Sequence, residues 1–171
     1  MNQSKIPTVS EIMTKRVFAL EDTAGFDEVV ELLNEHRISS APVLSNDGRV
    51  VGFVSEKDVI ESLGNELFHH EVSNPDVKTL MKTKVESVSP EMDVFEVEAF
   101  FGKQNLRHAP VVDSDGKLRG MLSRRDVLRA LQEFRVGVMR REGKDRAREQ
   151  RSRGPMELNL TERLLSVINT L

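Results

Sequence analysis

Leu106-Arg107-His108-Ala109-Pro110-Val111-Val112-Asp113-Ser114-Asp115-Gly116-Lys117-Leu118-Arg119-Gly120-Met121-Leu122-Ser123-Arg124-Arg125-Asp126 reads as a short apolar strand, an Asp-Gly turn, a second apolar strand and a Ser-x-x-Asp that opens a helix. The stretch has a twin. Sixty-eight positions upstream, Ile38-Ser39-Ser40-Ala41-Pro42-Val43-Leu44-Ser45-Asn46-Asp47-Gly48-Arg49-Val50-Val51-Gly52-Phe53-Val54-Ser55-Glu56-Lys57-Asp58 carries the same punctuation in the same places. The register holds without a gap from Met13/Met81 through Ala41/Ala109, Pro42/Pro110, Asp47/Asp115, Gly52/Gly120 and Ser55/Ser123 to Asp58/Asp126. Chance does not keep glycines, prolines and both Ser-x-x-Asp pairs in phase, so the chain is a tandem repeat.

Working outward from the hairpins, each copy predicts strand, helix, strand, strand, helix. In the first, Ser10-Glu11-Ile12-Met13 suits a short helical turn and Val17-Phe18-Ala19-Leu20 a short strand. Phe26, Val29, Val30 and Leu33 then mark one face of a helix that starts after Gly25 and ends near His36. Ala41–Leu44 and Val50–Val54 flank the Asn46-Asp47-Gly48 turn, and Glu56–Leu63 closes the copy as a helix stopped by Gly64. In the second, Val85–Val88 is the first strand, and Asp93-Val94-Phe95-Glu96 is a capping box that turns Val94, Val97 and Phe101 inward. Ala109–Val112 and Leu118–Leu122 form its hairpin, and a helix from Arg124 carries Val127, Leu128 and Leu131. The expected divisions are a lead-in over 1–8, repeat one over 9–64, a linker over 65–76, repeat two over 77–133 and a C-terminal extension over 134–171. A copy of this size leaves apolar faces uncovered, so the two are expected to pack pseudo-symmetrically in an α/β (α+β) fold.

The chain has 171 residues, 38% hydrophobic and 31% charged, with a net charge of −3 that excludes a globally basic nucleic-acid binder. The charge is uneven: Phe134–Gly154 holds eight Lys/Arg against three Asp/Glu, about +5, leaving about −8 elsewhere. This basic segment, interrupted by Gly137, Gly143, Gly154 and Pro155, reads as a solvated extension. Asn159-Leu160-Thr161-Glu162 is a capping box for a last amphipathic helix with Leu160, Leu164, Val167, Ile168 and Leu171 on one face. Without cysteine there is no disulfide or thiolate metal site, and no stretch reads as a signal peptide or membrane span. A cytoplasmic protein is the expectation. No Walker loop, dinucleotide-binding glycine fingerprint, Cys nucleophile or His-x-x-x-His set occurs, which speaks against an enzyme. His69-His70-Glu71 is the one histidine cluster and reads as exposed linker, not a metal site.

The duplicated pattern resembles the cystathionine-β-synthase (CBS) domain, and the tandem resembles a CBS pair, or Bateman module. The resemblance covers roughly residues 9–131 and rests on Met13-Thr14 and Met81-Lys82, the Ala-Pro-Val strands, the Asp-Gly hairpins, and Gly-x-x-Ser-x-x-Asp at Gly52–Asp58 and Gly120–Asp126. It implies two βαββα units joined through their sheets, often paired with a second chain into a flat disc. It also implies clefts that take AMP, ADP, ATP or S-adenosylmethionine as regulatory ligand, with no cofactor required.

The residues suit that chemistry. A carboxylate at a helix start accepts hydrogen bonds from vicinal ribose hydroxyls, which assigns Asp58 and Asp126 to ribose with Ser55 and Ser123 beside them. A plain N-cap is the bland alternative for each pair. Ile38, Val43, Leu106 and Val111 are candidates for an apolar adenine slot or for ordinary core. Arg107, His108 and Arg124 are expected near phosphate through the second repeat, whereas repeat one has Ser39-Ser40 and Glu56 there. The expected function is a stand-alone sensor that signals through conformation or contacts with an unidentified protein target, as a homodimer. The alternatives are a dimerisation scaffold with vestigial clefts and, behind it, nucleic-acid binding through the basic segment, which lacks an aromatic after Phe134 for base stacking.

Overall fold

The computed structural model describes residues 5–69 and 75–152. Two compact units are present, one covering Lys5–Leu131 and a second beginning at Gln132. In chain order the elements are α1 (Val9–Ile12), β1 (Leu20–Glu21), α2 (Phe26–Glu35), β2 (Ser40–Leu44), β3 (Val50–Ser55), α3 (Glu56–His69), α4 (Val77–Leu80), α5 (Val94–Gln104), β4 (His108–Val112), β5 (Leu118–Ser123) and α6 (Arg124–Ser152).

The two hairpins are near copies. β2 and β3 pair antiparallel with Val43 opposite Gly52, and β4 and β5 do the same with Val111 opposite Gly120. Each turn places its glycine at positive φ, +81° at Gly48 and +77° at Gly116, a region where a side chain would be strained. Turn also meets turn: Val50 N–H donates to the Gly116 carbonyl and Leu118 N–H to the Gly48 carbonyl, both at 3.1 Å. These bonds join the hairpins of the two copies.

The first strands differ between copies. β1 lies parallel to β2, and beyond it Asp22 N–H donates to the Leu44 carbonyl at 2.9 Å. The paired position in the second copy is Pro90, which has no N–H to give. There the expected Val85–Val88 strand contracts to one bridge, Val88 with Val111. The expected Val17–Leu20 strand is likewise shifted to Leu20–Glu21.

The helical turns ahead of each copy are exchanged. Val9 N–H donates to the Met92 carbonyl at 2.8 Å, and Thr14 and Met121 exchange two backbone bonds at 2.9 Å, so α1 belongs to the core of the second copy. There Val9, Ile12 and Met13 pack with Val88, Val97, Phe101 and Leu122. Reciprocally, Val77 N–H donates to Ala24 O at 2.9 Å, Phe53 pairs with Lys82, and Val77, Leu80 and Met81 pack with Leu20, Val29, Leu33 and Val54. Burial of a valine or leucine side chain contributes about 1.5–3 kcal/mol, so each core loses stability without the segment of the other copy.

The exchange explains the paired glycines. A methyl group at Gly52 would overlap the Met81 sulfur, and one at Gly120 would sit 2.7 Å from Met13 Sδ and 2.8 Å from the Thr14 carbonyl oxygen.

Three helical expectations need correction. α3 runs through Gly64 to His69, because Gly64 does not take the left-handed conformation of a C-cap and a mid-helix glycine costs only about 1 kcal/mol. α6 likewise continues through Gly137 and Gly143 to Ser152, on a run rich in the helix formers Arg, Glu, Met and Lys, so the described part of the basic segment is helix. Leu128 is 67% exposed, whereas Val127 is buried. Asp93 does cap α5, accepting from Phe95 N and Glu96 N at 2.8 and 3.0 Å, and Val94, Val97 and Phe101 are buried. The helix expected over Leu160–Leu171 lies outside the described residues.

Candidate functional site

Two clefts of about 330 Å³ each open between the copies, within the size range of small-molecule sites. Each is built from both repeats. One takes Thr14, Arg16, Val17, Phe18, Arg37, Ile38, Ser39 and Ser40 from the first copy and Met121, Ser123 and Asp126 from the second. The other takes Lys82, Lys84, Val85, Glu86, Leu106 and Arg107 from the second copy and Phe53, Ser55, Glu56, Lys57 and Asp58 from the first. Ser39, Ser40 and His108 line both.

The carboxylates are held by their own helix starts. Asp58 Oδ2 accepts from Ser55 N–H at 2.9 Å and Ser55 Oγ–H at 2.5 Å, and Asp126 Oδ2 accepts from Ser123 N–H at 3.0 Å and Oγ–H at 2.5 Å. Each Ser-x-x-Asp is therefore a helix cap and a wall of a cleft at once. The second oxygen rests on a cation, Asp58 Oδ1 on Lys82 Nζ at 3.2 Å and Asp126 Oδ1 on Arg129 Nη2 at 2.8 Å. Both cations are well exposed, 65% and 60%, while the carboxylates are only 9% and 13% exposed. Such a pair contributes little, so hydroxyl donors entering the cleft can replace the cation at small cost.

The aromatic and cationic walls differ. Phe18 in the Asp126 cleft is stacked on His36, ring centroids 3.6 Å apart, and its counterpart in the other copy is Glu86. His108 is half-buried; burial holds its imidazole below the ordinary 6.5, with Arg107 pushing the same way and Asp126 opposing.

The structure redistributes the sequence candidates. Ile38 lines the Asp126 cleft and Leu106 the Asp58 cleft, but Val43 and Val111 are fully buried in the cores and back the slots without facing them. Arg107 lines the cleft of Asp58, not that of Asp126, because β4 forms the wall opposite the first copy's helix start. Arg124 turns its guanidinium to Asn105 Oδ1 at 3.0 Å. Sequence reasoning missed Arg16, Phe18, Arg37, Lys82 and Lys84; the signal was present only as the repeat offset, which pairs Arg16 with Lys84 and Phe18 with Glu86. Among the described residues no group of three or more His, Cys, Asp or Glu could hold a metal. His69 ends α3 edge-on to Phe68, while His70 and Glu71 lie outside the described residues. No helix among the described residues is long and apolar enough to cross a membrane.

The CBS domain profile matches twice, over residues 9–65 and 77–133. The chain belongs to the CBS domain family. The CBS pair is similar to CBSX2 of Arabidopsis thaliana, solved in complex with AMP, at a TM-score of 0.66 and 29% identity over 75% of this chain and 98% of that one. It shares its fold with the CBS domain pair of protein MJ0100, solved with 5′-methylthioadenosine and S-adenosyl-L-methionine, at a TM-score of 0.62 and 21% identity over 75% and 98% of the two chains. In sequence it is 30% identical over 156 residues to the uncharacterised protein MJ1426 of Methanocaldococcus jannaschii, covering 74% of this chain and 92% of that protein. It is 32% identical over 154 residues to the chloroplastic CBS domain-containing protein CBSX1 of Arabidopsis thaliana, covering 75% and 65%. The mixed architecture expected from the duplicated hairpins is thus that of CBS-pair structures.

Proposed function

We propose that this CBS pair is a regulatory module, not an enzyme, that binds an adenosine-containing ligand in the clefts between its repeats and signals by a change of conformation or partner contacts. The observation that carries the reading is the repeated construction of each cleft, an apolar slot from one copy facing a capped, mostly buried carboxylate from the other. One oxygen of each carboxylate is committed to the serine; the other is available to vicinal ribose hydroxyls once its exposed cation moves aside. The complex of CBSX2 with AMP supports the same class of ligand. A chain without cysteine suits the reducing cytoplasm, where we place its action.

The module acts as a homodimer in this reading. Ile60, Leu67 and Phe68 on α3 are 67%, 74% and 80% exposed, an apolar face that a second copy would cover. Sedimentation that finds only monomer at tens of micromolar would remove this part.

The ligand reading is tested by calorimetry with adenosine and AMP on the wild type, Asp58→Ala and Asp126→Ala. A hydrogen bond to a charged group contributes about 1.5–3 kcal/mol, so each variant should weaken one binding event by about ten- to a hundred-fold. Adenosine bound equally by all three proteins would overturn the assignment.

A further inference from the structure

Resting on the adenosine reading, the two clefts differ in the charge they offer the tail of a ligand. In the Asp58 cleft charges of both signs are interleaved: Lys82 lies on Asp58 at 3.2 Å, Lys84 on Glu86 at 3.9 Å and Lys57 on Glu61 at 3.5 Å, pairs of exposed cations that the charged groups of a ligand can take over. Arg107 shares that cleft with Glu56 and Glu86. The Asp126 cleft is lined by Arg16 and Arg37, and Asp126 is its one carboxylate among the described residues. That carboxylate is tied to Ser123 and Arg129, so the two arginines present their charge to the cleft.

Arg37 adds a backbone observation. It sits at φ +51°, and the paired position Asn105 sits at φ +52°. Left-handed backbone is tolerated by asparagine and disfavoured for a long side chain such as arginine. In one copy the position holds the residue that suits the backbone, and its side chain serves Arg124. In the other it holds an arginine on a cleft wall, although the left-handed turn that closes α2, with Ile38 N–H on the Leu33 carbonyl at 3.1 Å, suits asparagine or glycine better; that choice of residue points to a role in binding.

We propose that the clefts divide adenosine ligands by charge. The Asp126 cleft takes a phosphorylated adenosine, with Arg16 and Arg37 on the phosphates through the planar donors that suit them. The Asp58 cleft takes an adenosine with a neutral or zwitterionic tail: Glu86 meets its cationic group, and Arg107 a carboxylate.

Calorimetry with adenosine, ATP and S-adenosylmethionine on full-length wild type, Arg16→Ala, Arg37→Asn, Glu86→Gln and Arg107→Ala tests this. Arg16→Ala and Arg37→Asn should each weaken ATP by about ten- to a hundred-fold and leave adenosine unchanged. Glu86→Gln and Arg107→Ala should weaken S-adenosylmethionine and spare ATP. Arg37→Asn should also melt above the wild type, since it relieves the backbone; a lower melting temperature would overturn the strain argument. The division fails if Arg107→Ala carries the loss of ATP, or if Arg16→Ala and Arg37→Asn bind ATP as the wild type does while adenosine still binds. Wild type that binds neither adenosine nor ATP would overturn the adenosine reading itself, and the division with it.

Discussion

Replacing Gly120 by alanine tests whether the exchanged segments hold the two repeats together. The added methyl group would sit 2.7 Å from Met13 Sδ and 2.8 Å from the Thr14 carbonyl oxygen. The sulfur can swing away, but the carbonyl cannot, because Thr14 and Met121 exchange backbone hydrogen bonds at 2.9 Å. Overpacking costs about 1–3 kcal/mol and each lost hydrogen bond about 1 kcal/mol, so Gly120→Ala should destabilise by roughly 2–4 kcal/mol. That lowers the melting temperature by on the order of 10 °C. At Gly52 the three nearest atoms all belong to the flexible Met81 side chain, so Gly52→Ala should cost less, about 1–2 kcal/mol. Truncating Met81 to alanine removes the sulfur and Cγ from the path of the new methyl group, so Gly52→Ala and Met81→Ala should be less than additive by about 1 kcal/mol. Met13→Ala leaves the Thr14 carbonyl in place and should give Gly120→Ala little relief. Urea unfolding of the two double-mutant cycles measures both couplings. Gly120→Ala within about 0.5 kcal/mol of wild type, or a coupling at 13/120 as large as at 52/81, would refute the reasoning. Since Thr14 also lines the Asp126 cleft, Gly120→Ala should weaken adenosine there and spare the Asp58 cleft.

Two further outcomes follow from the geometry. Burial lowers the His108 pKa below 6.5, so the fold disfavours the imidazolium: its effect on stability is absent above that value and grows unfavourable as pH falls from 6.5 to the lower folded value. The wild type should therefore lose stability relative to His108→Gln between about pH 7.5 and about pH 5.5 in urea titrations, and a flat or opposite difference would contradict the burial argument. Gly137→Ala and Gly143→Ala meet nothing within 4 Å and lie inside α6, so each should strengthen the helix by about 1 kcal/mol, read as greater helicity by circular dichroism on heating. A loss of helicity would show that these glycines serve a contact or a break.

The sequence by itself determined the repeat, the two Asp-Gly hairpins, the Asp93 cap and the two Ser-x-x-Asp carboxylates. Those signals are local: a turn glycine, a capping side chain and a strand alternation act within a few residues of one another. It put both carboxylates at helix starts, where they stand, and expected Arg107 with Asp126, whereas Arg107 lines the cleft of Asp58. Tertiary structure alone decided that α1 and α4 pack on the opposite copies, which turns Met13/Met81 and Gly52/Gly120 from a shared spelling into contacting pairs. The same crossing puts Arg107 in the cleft of Asp58 and Arg16 and Arg37 in the cleft of Asp126. The physical reason is that a cleft between two similar repeats draws its walls from segments far apart in the chain. Residue types and spacing within one copy say what chemistry is available, but which carboxylate meets which cation follows from how the two cores fill each other.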